Sequence, residues 1–123
     1  MQINQDNANG KYQIQSYEPG KLLINQVVYT HSVIISPTEL VTDWPPQTLA
    51  ELRSEHLAWI AEQRPEVFLL GTGAQLTFPS HALLAPVINQ QIGTEIMTTT
   101  AACRTFQVLI AEKRHVIAAL LIK

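Results

Sequence analysis

The sequence predicts an α/β fold, in which an N-terminal β-hairpin region precedes a βαβαβ unit with flanking helices. Three observations predict it. Residues 12–42 are rich in β-branched and aromatic side chains, the composition of pleated, half-buried strands. Two short runs, Val67-Phe68-Leu69-Leu70 and Val116-Ile117-Ala118-Ala119-Leu120-Leu121-Ile122, are apolar without alternation, as strands covered on both faces require. Apolar residues at helical spacing fill segments before and between these runs.

Residues 1–10, dominated by Gln, Asn and Asp, are expected to form a flexible tail, and residues 11–123 a single domain. Strands are expected near 11–17, 21–30, 31–36 and 39–42, with Glu18-Pro19-Gly20 and Ser36-Pro37 as turns. After Trp44-Pro45-Pro46, Thr48 and Glu51 have capping-box spacing. The helix predicted there places Leu49, Leu52, His56, Trp59 and Ile60 on one face and ends at Pro65. The run 67–70 should be a central strand stopped by Gly71, and 71–78 a loop. Ser80 can cap a helix bearing Leu83, Leu84, Val87 and Ile88, with a kink or a restart at Pro86 and a stop at Gly93. A short strand, Glu95-Ile96-Met97, leads to cap candidates at 98–100. The next helix runs to about residue 112 with Ala102, Phe106, Leu109 and Ile110 inward. That helix must reverse into the strand near His115 within two residues, so Lys113 is expected in the left-handed region.

A chain of 123 residues, 46% hydrophobic and 15% charged, lies outside the regime of disorder and can bury its own core. Its net charge of -2 gives no broad electrostatic footprint for nucleic acid or an anionic membrane. The lone Cys103 excludes an intramolecular disulfide and a multi-cysteine metal site. His31, His56, His81 and His115 are far apart in sequence, so neither a metal nor a cofactor is implied. The start lacks a basic segment leading into an apolar one, and no run of about 18 apolar residues occurs, so a cytoplasmic protein without membrane insertion is expected.

Gly71-Thr72-Gly73, Ile92-Gly93-Thr94-Glu95-Ile96-Met97-Thr98-Thr99, Ala101-Ala102-Cys103-Arg104-Thr105-Phe106 and Ala118-Ala119-Leu120 resemble the Mth-domain family, with an N-terminal counterpart from Tyr12-Gln13-Ile14 through Trp44. The family includes a mitochondrial complex I assembly factor and many uncharacterised bacterial proteins. The resemblance implies a three-layer α/β fold with a mixed central sheet, and no catalytic residues. Two departures stand out. Phe106-Gln107 replaces a usual Tyr-Asn, removing any role of that Tyr hydroxyl, and Lys113 stands where the family often has Gly.

Two strand-to-helix junctions hold the candidate site residues. Gly71, Thr72 and Gly73 occupy a place where backbone amides can cradle an anion, although the third glycine of a dinucleotide fingerprint would fall at Leu76 and no Walker lysine follows. A tight turn explains most such glycine pairs and is the favoured reading. Met97, Thr98, Cys103, Arg104 and Thr105 lie at or near the second helix start, where the dipole favours anions and lowers a thiol pKa. Neighbouring parallel strands would set these two junctions side by side, with a crevice between them. Cys103 as a nucleophile would need His81 as its base, and the commoner role for such a cysteine is a small buried side chain. Arg104 suits a structural ion pair and a ligand or partner anchor equally. His56 and the two tryptophans, Trp44 and Trp59, fit packing roles. The leading function is therefore a non-enzymatic protein-binding or assembly-factor-like module, with a homo-oligomer also open. The alternative is a domain for a small anionic ligand, including an enzymatic one, in the crevice of residues 71–73 and 98–104.

Overall fold

The computed structural model describes residues 11–123, so the tail expected over 1–10 lies outside the described residues. The chain first forms an antiparallel sheet of β1 (Ile14–Glu18), β2 (Lys21–Ile24) and β3 (Val27–Tyr29), in that order. A second sheet of five strands follows, from β4 (Val33–Ile35), β5 (Leu40–Val41), β6 (Val67–Gly71), β7 (Gly93–Met97) and β8 (Val116–Leu120), in the order β5-β4-β8-β6-β7. It is mixed: β6 runs parallel to β7 and β8, whereas β4 is antiparallel to β5 and β8. The expected central placement of 67–70 holds, and 116–122 is buried throughout.

The single strand expected over 21–30 is instead two. Asn25 (φ 48) and Gln26 (φ 73) are consecutive left-handed residues and turn β2 back into β3. Such a turn suits the right-handed twist of its flanking strands, and Asn tolerates the first position. Local hydrogen bonds hold it: Asn25 Oδ1 accepts from the Gln13 amide at 2.7 Å, and Gln15 Oε1 accepts from the Gln26 amide at 2.6 Å.

The helix expected from Thr48 is also interrupted. Thr48 makes no side-chain cap, and Glu51 Oε1 accepts from the Gln47 amide at 2.8 Å instead. A 3-10 turn at Leu49–Glu51 gives way to extended backbone at Leu52 and Arg53. A second 3-10 turn, Ser54–Leu57, then feeds α1 (Ala58–Gln63), which Arg64 terminates at φ 48 before Pro65. Tertiary anchoring overrides the helical pattern here. Trp44 is 4% exposed, and its Nε1 donates to the His56 carbonyl at 3.1 Å. The His56 ring meets Trp44 edge-on and accepts from the Arg53 amide through Nδ1 at 2.9 Å. His56 and both tryptophans thus take the expected packing roles.

The segment opened by Ser80, whose Oγ accepts from the Leu83 amide, passes through turns before α2 (Ala85–Ile88) begins with Pro86 in its first turn. The restart at Pro86 follows from proline's compatibility with a helix start, where its missing N–H costs nothing. β7 begins at Gly93 rather than Glu95, because Gly93 already pairs with Val67. The long helix α3 (Thr99–Ala111) buries Ala102, Cys103, Phe106 and Ile110 and carries Leu109 at the border of the core. Lys113 has φ 62, as the tight reversal requires.

The period-two alternation of the central sheet divides the core into two. Leu69, Val116, Ala118 and Leu120 face α3 and, with Leu22 and Ile24, the smaller sheet. Phe68, Leu70, Ile117, Ala119 and Leu121 face α1, α2 and Trp44. The two crossover helices of the βαβαβ unit therefore cover opposite faces, giving three layers around a sheet whose central strands are apolar on both sides.

Candidate functional site

The two strand-to-helix junctions do lie side by side, and hydrogen bonds join them directly. The Gly73 amide donates to Thr99 Oγ1 at 2.8 Å, and that hydroxyl donates to the Leu121 carbonyl at 2.8 Å. The Thr99 amide returns a bond to the Gly73 carbonyl at 3.0 Å, and the Thr72 amide bonds the Met97 carbonyl at 2.8 Å. Thr72 Oγ1 donates to the Gln75 carbonyl at 2.6 Å, closing the 71–78 loop on itself. Thr98 caps α3 by accepting from the Ala101 amide at 3.2 Å.

Close packing accounts for the glycines. A Cβ on Gly71 would stand 2.9 Å from Thr99 Cα and Oγ1, and one on Gly73 would stand 2.5 Å from the Lys123 carbonyl carbon. Gly73 also has φ 91, a conformation that glycine adopts without steric cost. The amides of Thr72 and Gly73, which an anion would need, are thus engaged within the fold. Gly71, Thr72, Gly73, Met97 and Thr98 form a joint that fixes α3 on the sheet. Thr99, not singled out from sequence, is its centre, and the run of hydroxyls at 98–100 was the available signal.

Cys103, Arg104 and Thr105 lie one turn further on. Cys103 and Arg104 border a shallow groove of about 280 Å³ between α3 and β1, shared with Ile14, Gln15, Ser16 and Gln107. Burial pushes the Cys103 thiol up to about 12, against the opposing pull of the Arg104 charge. Such a thiol is protonated and unreactive near neutral pH. His81, the base it would need, is exposed on the segment leading to α2, which packs on the other face of the sheet. The structure therefore keeps Cys103 as a buried side chain.

Arg104 is exposed, and among the described residues the one ion pair joins Arg114 to Glu66, so the structural pair considered for Arg104 does not form. Thr105 is half-buried. Gln107, four residues after Cys103 and thus one turn on, ties the helix to the small sheet. Its Oε1 accepts from the Ile14 amide at 3.0 Å, and its Nε2 donates to Gln13 Oε1 at 3.2 Å. The Tyr17 hydroxyl donates to the Ile122 carbonyl at 3.1 Å, and burial, then the nearby Cys103, raise its pKa. Among the described residues no three His, Cys, Asp or Glu side chains converge to hold a metal ion.

Comparison with known proteins places this geometry in a wider group. Residues 14–121 match the family described as protein of unknown function (DUF498/DUF598). The chain is 30% identical over 122 residues to NADH dehydrogenase [ubiquinone] 1 alpha subcomplex assembly factor 3 of Danio rerio, covering 98% of this chain and 70% of that one. It is 23% identical over 117 residues to the 13 kDa major membrane protein of Francisella tularensis, covering 94% and 95% of the two chains. Among solved structures, a Xanthomonas campestris protein is similar at 35% identity with a TM-score of 0.83, covering 99% of this chain and 92% of that one. A Bordetella pertussis protein, an Mth938-like domain, is similar at 28% identity with a TM-score of 0.78, covering 94% and 87%.

Proposed function

This chain belongs to the DUF498/DUF598 family of proteins of unknown function, with the fold of an Mth-type domain, and from that premise we propose a non-enzymatic, assembly-factor-like module that receives a protein partner along the open edge of β3. One observation carries the proposal. β3 is the last strand of its sheet, and its Val27 and Val28 are 49% and 56% exposed. Natural edge strands are commonly guarded by Lys, Pro or a bulge, and residues 25–30 contain no charge and no proline. An extended segment of a partner can add to such an edge, with backbone hydrogen bonds giving affinity and the valines giving an apolar footing. The Danio rerio relative is named as an assembly factor, which supports a partner-binding role.

The alternative, a site for a small anionic ligand at residues 71–73 and 98–104, has weaker support, because its amides are engaged and its thiol is protonated. Arg104, exposed beside the groove at β1, lies at the other edge of the small sheet and takes no part in the β3 contact. A second copy of this chain is a partner of the same kind, docking edge to edge.

Affinity capture from source cells with the full chain and with Val28→Lys tests the reading. The expected result is a protein recovered in stoichiometric amount with the parent chain and lost with Val28→Lys, while the melting curve stays unchanged. Equal recovery with both would overturn it. A cytoplasmic location is part of the same proposal. Among the described residues no helix is long and apolar enough to cross a membrane, and the Francisella relative is named a membrane protein, so fractionation of source cells decides between the soluble and membrane pools.

A further inference from the structure

At the end of the central sheet opposite the 71–73 loop, a cleft of about 810 Å³ opens between the turn after β4, α1, the end of α3 and the start of β8. That volume falls in the range of small-molecule pockets. Ile110 and Ile117, both nearly inaccessible to solvent, contribute its apolar lining together with half-buried Trp59. Its charged lining is lopsided: Lys11, Lys113 and Arg114 stand against the single carboxylate of Glu39, with the imidazole of His115 beside them. Three of the chain's eight Lys and Arg residues gather here although the whole chain has a net charge of -2. The positive bias therefore belongs to this cleft and not to the composition.

The backbone fixes where these cations stand. Lys113, at φ 62, closes α3: its amide donates to the Ile110 carbonyl at 2.9 Å, and the Arg114 amide donates to the Leu109 carbonyl at 3.1 Å. Among the described residues Lys113 has no ion-pair partner. Its neighbour Arg114 is braced: Nε lies 3.5 Å from Glu66 Oε2, and Glu66 Oε1 accepts from the His115 amide at 2.8 Å. That amide bond, followed by the Arg114 charge, holds the Glu66 carboxyl below its ordinary range, so the brace persists at neutral pH.

We propose that this cleft binds a small organic anion, a carboxylate or phosphate carried on an apolar ring or chain. The anionic group meets Lys113 and Arg114, and the apolar body lies on Trp59, Ile110 and Ile117. The site is separate from the β3 edge, so either proposal can fail without the other.

Titration of the full chain with naphthyl phosphate, followed by amide chemical shifts, tests the inference, with inorganic phosphate and naphthol as the two halves of the probe. Saturable shifts confined to residues 36–39, 59–63 and 110–117 are expected, and each half-probe should bind at least about tenfold more weakly. Lys113→Gly and Lys113→Asn both suit a left-handed backbone and remove the charge, so either should keep a dispersed spectrum and weaken binding about tenfold. Lys21→Gln, on β2, should leave affinity unchanged. The inference is overturned if no saturation occurs, if naphthol or inorganic phosphate binds as well as the whole probe, or if the folded Lys113 variants bind like the parent.

Discussion

Cys103 shows how residue type and environment pull apart. A cysteine near a helix N-terminus and beside an arginine suggests a reactive thiolate, but burial outweighs the Arg104 charge and holds the proton on. The consequence for stability has a definite sign. The folded pKa, about 12, lies above the ordinary value of 9.0, so the protonated folded state binds more protons than the unfolded chain across that window. Stability from this group is intact below about pH 9 and is lost as pH rises, by up to about 1.4 kcal/mol per pH unit. Urea melts from pH 8 to pH 10.5 should fall more steeply for the parent than for Cys103→Ala, and parallel curves would exclude a buried thiol. Lys113 is the opposite case, since its left-handed backbone was legible from the shortness of the reversal before His115. Lys113→Gly should raise stability by about 1 kcal/mol, because relief of strain exceeds glycine's extra freedom in the unfolded chain. A lower denaturation midpoint for that variant would reject the account.

Among the elements, the strands of unbroken apolar sequence were the easiest to read. β6 and β8 needed no partner information, because only strands covered on both faces are free of polar alternation. Leu120, with no accessible surface and packed against α3, should cost about 2 to 5 kcal/mol when truncated to Ala, from lost transfer energy and the cavity left behind. A loss under about 0.5 kcal/mol in denaturant melts would contradict that packing. The segment from Thr48 to Gln63 was the hardest. Its apolar residues recur at helical spacing, yet Leu52 and Arg53 are extended, because the Trp44 indole and the His56 ring set the chain's path locally. The Asn25-Gln26 reversal was missed for a different reason: neither residue is glycine, so the usual hairpin signal was absent.

On the scale of the whole molecule, α3 and the small sheet share one face of the central sheet, with α1 and α2 on the other. Gln107 joins α3 to the small sheet through the Ile14 amide and Gln13. Gln107→Ala should cost about 1 to 2 kcal/mol and speed hydrogen exchange at the Ile14 amide while sparing β6, since it removes two partly buried bonds and not the core. Unchanged exchange at Ile14 would show that the sheet docks by its apolar face alone. The sequence by itself determined the α/β class, the central place of β6, the buried course of β8, the start of α3 within 98–100 and the left-handed reversal at Lys113, because each follows from local periodicity or from a short connection. Only the tertiary structure decided that Thr99 binds the two junctions together and engages their amides, and that Cys103 is desolvated. It also decided that Lys11, Lys113, Arg114 and His115 share a cleft with Trp59. Those outcomes depend on which residues distant in the chain are brought within a few ångströms, and hydrophobic spacing specifies faces without specifying the neighbours that each face will meet.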